Sequence, residues 1–254
     1  MTAKLEVRGV SYSYHSLEGE TLALSDISFS VESGQFLSIV GPSGCGKSTL
    51  LSLLCGLLLP DQGEILLDGA PLSRDMSTVG YMLQKDHLFE WRTILSNVSL
   101  GLEIQKRMDS DSLKTLREML NTYGLKGFEY SKPSELSGGM RQRAALIRTL
   151  ALKPDLLLVD EPFSALDYQT RLSVCDDISA ILRKEGKTAI LVTHDLSEAI
   201  SVADHILILT PRPGRVKAIL PIEFPGAMRP LDRRNCPEFS AYFNQVWKEL
   251  KTDE

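Results

Sequence analysis

Several features are missing from this sequence, and each absence narrows the class of protein. The four cysteines are widely spaced and form no C-x-x-C pair, a pattern that favours free thiols in a reducing compartment over a cysteine-based metal site. The longest apolar stretch, Leu50 to Leu59, is interrupted by polar and glycine residues and is about half as long as a membrane-spanning helix. Because no apolar leader follows Met1, we expect the chain to stay in the cytoplasm.

An excess of positive charge is missing as well. Lysine and arginine number 28 against 33 aspartates and glutamates, which gives a net charge of −5. Broad, non-specific binding to nucleic acid needs a basic surface, so this balance argues against it, with the local cluster Arg141, Arg143 and Arg148 as a possible exception. With 254 residues, 43% of them hydrophobic, the chain is long enough for one large globular domain or two small ones.

Short apolar runs dominate what is present, and helical stretches separate most of the later ones. This alternation predicts a largely parallel sheet covered by helices. The predicted strands include Ile27 to Val31, Phe36 to Val40, Ile65 to Leu67, Leu156 to Val159, Ala189 to Val192 and Ile206 to Leu209.

Two segments depart from that alternation. Residues Leu5 to Val31 read as strands joined by a polar turn at His15 to Glu20, which predicts a small antiparallel sheet. Between Asp86 and Lys153 the strand signal disappears and helical spacing replaces it, so we expect a helical insertion into the α/β core. The predicted helices are Asn97 to Gln105, Asp111 to Tyr123 and Met140 to Leu152.

One glycine-rich segment matches the P-loop pattern G-x-x-x-x-G-K-[ST]. In a P-loop, backbone N–H groups turn toward an anion and a lysine reaches the terminal phosphates. It follows a predicted buried strand, Gln35 to Val40, and opens a predicted helix, Ser48 to Leu59. Bound phosphate would therefore sit at the positive N-terminus of that helix. The expected phosphate-binding residues are Gly41, Pro42, Ser43, Gly44, Cys45, Gly46, Lys47, Ser48 and Thr49.

Two adjacent carboxylates, Asp160 and Glu161, end an apolar strand, Leu156 to Val159. Such a strand delivers acidic groups to the C-terminal edge of a parallel sheet beside a P-loop. We expect Asp160 to hold Mg²⁺ together with the Ser48 hydroxyl. Because side chains alternate along a strand, Glu161 is expected to point elsewhere and to contact an attacking water.

A second segment, Ser137-Gly138-Gly139, precedes a predicted helix and contains no lysine. Ser137 is expected to cap the helix, while the glycines leave its first amides uncovered for an anion. Such a segment is also a common helix cap with no ligand. Because the P-loop already supplies one phosphate site per chain, we expect these residues to close over the γ-phosphate held by another copy.

The motifs together resemble the nucleotide-binding subunit of ATP-binding cassette (ABC) transporters over essentially residues 4 to 225. The resemblance implies an α/β fold: a P-loop NTPase (RecA-like) core with an N-terminal antiparallel β subdomain and an inserted α-helical signature subdomain at about 86–153. The cassette domain would span 1–225 and a C-terminal tail 226–254. In chain order the motifs are the P-loop, Tyr81-Met82-Leu83-Gln84, Leu136 to Arg143, Asp160-Glu161-Pro162, Ser164-Ala165-Leu166-Asp167 and His194.

The resemblance also implies roles for single residues in binding and hydrolysing ATP. Tyr14 would stack on adenine, although Tyr12 is a nearby competitor, and Asp167 would bridge a dimer in addition to capping a helix. Gln84 would contact Mg²⁺ and the water, and His194 would sense the γ-phosphate. The expected catalytic residues are Lys47, Gln84, Glu161 and His194, and the expected Mg²⁺ ligands are Ser48, Gln84 and Asp160.

The partners implied are a second cassette subunit in a homodimer, an integral membrane permease and, indirectly, an extracytoplasmic solute-binding protein, with no nucleic acid. The subunit would be peripheral, on the cytoplasmic face of the inner membrane. Leu209 to Arg215 and Trp91-Arg92-Thr93 resemble the branch that imports nitrate, sulfonate and taurine or similar organic solutes. Lys85-Asp86-His87 departs from the commoner residues of that branch, and we interpret the departure as adaptation to a particular permease.

Two aromatic residues, Phe89 and Trp91, stand among charges shortly after Gln84. They belong either to the core or to an exposed patch that docks the permease. A soluble ABC-type ATPase that acts on nucleic acid or the ribosome is the alternative function, although such proteins usually carry two cassettes or a long coiled coil. A P-loop kinase is a further alternative, which would not need Ser137 to Gly139.

Overall fold

Two β-sheets form the framework of the protein. The computed structural model describes residues 3–17, 19–72, 78–164, 166–226 and 228–251. The strands of these residues are β1 (Ala3–Ser16), β2 (Gly19–Glu32), β3 (Phe36–Val40), β4 (Gln62–Leu67), β5 (Ala70–Pro71), β6 (Val79–Met82), β7 (Leu156–Asp160), β8 (Thr188–Val192), β9 (His205–Leu209) and β10 (Val216–Pro221). One sheet has the order β2-β1-β4-β5, and the other has the order β10-β9-β3-β8-β7-β6.

The first sheet is the expected antiparallel sheet near the N-terminus. Ser16 pairs with Gly19 across the turn between β1 and β2, inside the predicted turn region. In β2 the buried residues Ile27, Phe29 and Val31 alternate with exposed serines, as a strand with one covered face requires.

The second sheet is parallel from β9 to β6, and only β10 runs antiparallel to its neighbour. All five residues of β3 and of β8 are buried, which is why these strands appear in the sequence as mostly apolar runs, with Ser38 and Thr188 as the polar exceptions. The C-terminal ends of β3, β7, β8 and β9 meet at one edge of the sheet, where ligands bind in open α/β folds.

Helices cover both faces of the parallel sheet, and three of them lie between β6 and β7. These three, α2 to α4, form the expected helical insertion, together with a short 3₁₀ helix, Pro133–Glu135. The α-helices of the described residues are α1 (Lys47–Leu54), α2 (Ile94–Ile104), α3 (Ser110–Thr122), α4 (Gly138–Leu150), α5 (Tyr168–Lys184), α6 (Leu196–Val202), α7 (Pro230–Arg233) and α8 (Pro237–Lys251).

Alternate side chains of the central strands divide the hydrophobic core into two layers. In β7, Leu157 and Val159 pack with the α2–α4 insertion, whereas Leu156 and Leu158 pack with α1 and the antiparallel sheet. The parallel sheet therefore fixes the position of α1 and the antiparallel sheet, on one face, relative to the α2–α4 insertion on the other.

The helix after the P-loop is shorter than predicted. We expected it to continue to Leu59, but α1 ends at Leu54. Gly56 adopts a left-handed φ of +68° and its N–H donates to the Leu53 carbonyl, a conformation that ends helices. Beyond the glycine, Leu57 and Leu59 are exposed, whereas Leu58 is half-buried and packs against the core.

The C-terminal segment packs on the sheet. Val246 of α8 is fully buried in a cluster with Ile200 of α6 and Ile206 of β9. In the described part of the chain, no helix combines the length and apolar character needed to cross a membrane.

Candidate functional site

The P-loop connects β3 to α1 and is shaped by close backbone approach. Gly46 is the N-cap of α1 with a φ of +106°, and no side chain caps the helix. A Cβ at Gly46 would lie 2.6 Å from Leu24 Cδ2, so only glycine fits. The first N–H groups of α1 are therefore left without a side-chain acceptor, which is the arrangement that binds anions at helix N-termini.

Lys47 lies over the loop that it belongs to. Its Nζ donates to the carbonyl oxygens of Gly41 at 2.9 Å and Pro42 at 3.0 Å. Cys45 differs from its loop neighbours because its side chain turns into the core and is 1% exposed, and burial raises the pKa of this thiol. The loop thus presents backbone groups and one ammonium, while its cysteine serves packing.

Tyr14, rather than Tyr12, is placed beside the P-loop helix. The Tyr14 hydroxyl and the Thr49 hydroxyl are 3.1 Å apart, and the Tyr14 ring is 45% exposed. Tyr12 packs against the core below it, edge to face with Tyr14 at 5.0 Å between ring centroids. Of the two tyrosines, Tyr14 therefore offers the free aromatic face next to the loop.

Asp160 ends β7 and accepts a hydrogen bond from Tyr81, which was not among the expected site residues. The Tyr81 hydroxyl donates to Asp160 Oδ2 at 3.2 Å. Burial raises the pKa of Asp160, and the hydrogen bond from Tyr81 opposes that rise. Burial, together with the Asp160 charge, raises the pKa of Tyr81, so the hydroxyl stays protonated and remains a donor.

Glu161 points to a different set of partners. Its Oε2 lies 3.1 Å from His194 Nδ1 and 3.3 Å from Gln84 Nε2, which also donates to Ser164 Oγ at 3.1 Å. The Glu161 backbone has a φ of +41°, an uncommon value for a residue with a side chain, and its N–H donates to the Val192 carbonyl. The fold thus brings two of the expected catalytic side chains, Gln84 and His194, to the carboxylate of a third, Glu161.

A cavity of about 510 Å³ unites the P-loop with this group. Pro42 and Cys45 do not line it, and neither do Tyr14, Gln84 and Asp160, which lie around it. Its lining residues are Gly41, Ser43, Gly44, Gly46, Lys47, Ser48, Thr49, Glu161, His194 and Arg212. Arg212 was not among the expected site residues. The sequence could not reveal it because β9, which precedes its loop, is brought beside β3 only by the strand order.

Ser137 to Gly139 lie outside this cavity. Ser137 caps α4 as expected, because its Oγ accepts a hydrogen bond from the Met140 N–H at 3.3 Å. Gly138 instead lines a separate concavity of about 350 Å³ with Lys85 and Arg141, among others.

The glycines of this segment also serve packing within the chain. A Cβ at Gly138 would lie 2.8 Å from Leu166 Cδ2, and one at Gly139 would lie 2.8 Å from Val174 Cγ2. Close approach to Leu166 and to α5 thus requires small residues here. Within one chain, the two expected phosphate-binding segments do not form one site.

Asp167 is the N-cap of α5, as we expected. Its carboxylate accepts a hydrogen bond from the Thr170 N–H at 3.0 Å, and hydrogen bonding by Thr170 lowers the pKa of Asp167. Ala165, in the motif that ends at Asp167, lies outside the described residues.

The basic cluster on α4 is engaged inside the molecule. Arg141 pairs with Asp86 at 3.1 Å, Arg143 pairs with Asp177 at 2.6 Å, and Arg148 donates to the backbone carbonyl of Asp86 at 2.6 Å. These arginines join α4 to neighbouring elements, so the cluster does not present an unpaired basic surface.

Known proteins match this chain over most of its length. A family model described as "ABC transporter" matches residues 24–164. An uncharacterized ABC transporter ATP-binding protein of Bacillus subtilis is 46% identical over 252 residues, which are 98% of this chain and 96% of that protein. An aliphatic sulfonates import ATP-binding protein of Bacillus licheniformis is 39% identical, over 92% of this chain and 89% of its own length.

Two further matches bear on ligand and assembly. A taurine import ATP-binding protein of Yersinia pestis is 44% identical over 80% of this chain and 79% of its own length. A solved dimeric ATP-binding cassette in a post-hydrolysis state, bound to ADP and Pi, superposes with a TM-score of 0.74 at 30% identity and covers 87% of this chain and 99% of that chain. The chain belongs to the ATP-binding subunits of the ABC transporter family, which hydrolyse ATP.

Proposed function

We propose that this chain powers the import of a small solute through a separate integral membrane permease. The observation that carries the proposal is the division of the phosphate-binding groups. Lys47, Ser48, Glu161 and His194 share one cavity, whereas Gly138 lines a separate concavity. A second copy of the chain would supply the missing half, so that ATP is bound between two cassettes.

In the proposed mechanism, Lys47 and the P-loop amides hold the triphosphate, and Glu161 acts on the attacking water. Gln84 and His194 position the Glu161 carboxylate, since both lie within hydrogen-bonding distance of its Oε2. Preorganised donors of this kind stabilise developing charge without rearranging during the reaction. Ser137 to Gly139 of the second copy would complete the site, so hydrolysis would depend on closure of the dimer.

The residues at the edge of the sheet fit a Mg²⁺ ion. Ser48, Gln84 and Asp160 supply a hydroxyl, an amide and a carboxylate, the oxygen donors that Mg²⁺ prefers. Tyr81 donates to Asp160 Oδ2, and among the described residues no hydrogen bond engages the other carboxylate oxygen. When bound, Mg²⁺ would neutralise charge on the phosphate oxygens.

We propose the surface around Phe89 and Trp91 as the contact with the permease. Trp91 is 73% exposed and Phe89 is 36% exposed, and their ring centroids are 4.8 Å apart. Contiguous exposed aromatic surface is typical of interaction sites. Of the two explanations left open by the sequence, docking therefore fits Trp91 better than core packing.

The remaining parts of the proposal depend on the relatives. Their names point to import of sulfonate- or taurine-type solutes, so we propose a solute of that kind or nitrate, received by the permease from an extracytoplasmic solute-binding protein. The subunit would work as a homodimer at the cytoplasmic face of the inner membrane. Residues 1–225 would form the cassette, and 226–254 a C-terminal extension.

Affinity purification of the tagged chain from its native membranes tests this function. Recovery of an integral membrane protein together with the cassette supports transport. Recovery of ribosomes or nucleic acid would support the alternative, a soluble cassette ATPase. A monomer that passes phosphate to a metabolite would instead support a kinase.

A further inference from the structure

A loop that follows β9 brings a second cationic side chain to the phosphate cavity. Arg212 lines this cavity together with Gly44 and Lys47. One of its guanidinium nitrogens, Nη2, lies 4.0 Å from the position that a Cβ would take on Gly44. Among the described residues, none forms an ion pair or a hydrogen bond with this guanidinium.

Backbone hydrogen bonds to β2 hold this loop beside the P-loop. The Gly214 N–H donates to the Ala23 carbonyl at 2.9 Å, and the Gly214 carbonyl accepts from the Ser25 N–H at 2.9 Å. A Cβ at Gly214 would stand 2.1 Å from the Cys45 carbonyl oxygen, so the loop touches the P-loop backbone itself. Thr210 closes the loop by accepting a hydrogen bond from the Arg215 N–H at 3.0 Å.

The strand order sets the direction from which Arg212 reaches the cavity. Its loop follows β9 on one side of β3, whereas Glu161 and His194 follow β7 and β8 on the other side. Arg212 and these two side chains therefore flank the P-loop from opposite sides. A planar guanidinium that lines a phosphate-binding cavity suits phosphate oxygens, which it can engage through two parallel hydrogen bonds.

We propose that Arg212 is a phosphate contact of the bound nucleotide, additional to Lys47 and on the flank away from Glu161. This proposal rests on the proposed function, because it requires nucleotide phosphates in this cavity. Arg212 contacts phosphates that are present in both ATP and ADP. It therefore contributes to nucleotide affinity, and its loss weakens the binding of both nucleotides.

Nucleotide-binding titrations of the full chain test the proposal. Arg212→Ala weakens binding of MgATP and MgADP alike, by about tenfold, the low end for a charge-assisted hydrogen bond because the side chain is exposed. Arg212→Lys recovers part of the affinity, since lysine keeps the positive charge but cannot donate two parallel hydrogen bonds to a phosphate. Inorganic pyrophosphate also displaces a fluorescent nucleotide less effectively from Arg212→Ala than from the wild type.

Arg215→Ala is the matched control, because Arg215 is an exposed arginine of the same loop that does not line the cavity. Its affinities match the wild type. Dissociation constants within twofold of the wild type for both nucleotides in Arg212→Ala, with an unchanged melting temperature, overturn the inference. Lys47→Ala distinguishes this inference from the proposed function. If Lys47→Ala loses nucleotide binding and Arg212→Ala keeps it, the role of Arg212 is refuted while the proposed ATP site stands.

Discussion

Replacing Trp91 with alanine distinguishes a docking surface from a part of the core. Trp91 is 73% exposed, so about a quarter of its side chain is buried. A fully buried aromatic side chain removes about 150–250 Å² from water, which leaves about 40–65 Å² here and about 1–1.7 kcal/mol at 25 cal/mol per Å². A core tryptophan would instead cost about 3–5 kcal/mol.

These two magnitudes give different melting behaviour. For a chain of this size, about 1 kcal/mol shifts the melting temperature by about 2–4 °C, so Trp91→Ala is expected to lose only a few degrees. Loss of a central interface aromatic commonly costs about 2 kcal/mol or more, which weakens association with the permease about thirtyfold. Co-sedimentation with permease-containing membranes measures that loss, and scanning calorimetry measures the stability.

Trp247→Ala is the matched control. Trp247 is also exposed, at 47%, but it lies on α8, where it stacks on Phe243 and contacts Lys251. We expect this variant to sediment with membranes like the wild type. Equal sedimentation of Trp91→Ala and wild type, or a fall of about 10 °C or more in the melting temperature of Trp91→Ala, would refute the docking assignment.

Three further predictions address the nucleotide site. Glu161→Gln should abolish turnover, keep ATP binding and accumulate an ATP-dependent dimer in gel filtration; near-normal hydrolysis would contradict its proposed role. Mixing Lys47→Ala with Ser137→Arg should partly restore hydrolysis, because one composite site of the heterodimer carries neither lesion. If proven heterodimers show no recovery, either the two chains do not share each site or one site cannot hydrolyse ATP without the other. Tyr81→Phe removes a hydrogen bond that lowers the pKa of Asp160, so the acid limb of Mg²⁺-dependent hydrolysis should move to higher pH, and an unshifted profile would speak against this link.

The sequence predicted the sheet and the loop geometry because those features depend on local patterns. Parallel strands that are buried on both faces need mostly apolar residues, and β3 and β8 provide them. The cap at Ser137 follows from the residue type and the glycines after it. The end of α1 was predicted too late because the apolar sequence continues past Gly56, while a left-handed glycine stops the helix.

Side chains that meet through strand order could not be predicted in this way. Arg212 reaches the cavity because β9 pairs with β3, and Tyr81 reaches Asp160 because β6 pairs with β7. Neither pairing leaves a mark in the local sequence around these residues. The aromatic pattern at Phe89 and Trp91 likewise fits a core or a surface equally well, and only the exposed fractions distinguish them.

Asp86 shows how a departure from a family pattern acquires a physical reason in the fold. Adaptation of Lys85-Asp86-His87 to a particular permease stays a prediction. Within the chain, the Asp86 carboxylate pairs with Arg141 on α4, and Asp86 Oδ1 accepts a hydrogen bond from the Leu88 N–H at 3.1 Å. The aspartate thus ties the segment after Gln84 to the helix that Ser137 caps. Because both oxygens of the Asp86 carboxylate already have partners within the chain, the nearby exposed aromatics are the stronger candidates for the contact with the permease.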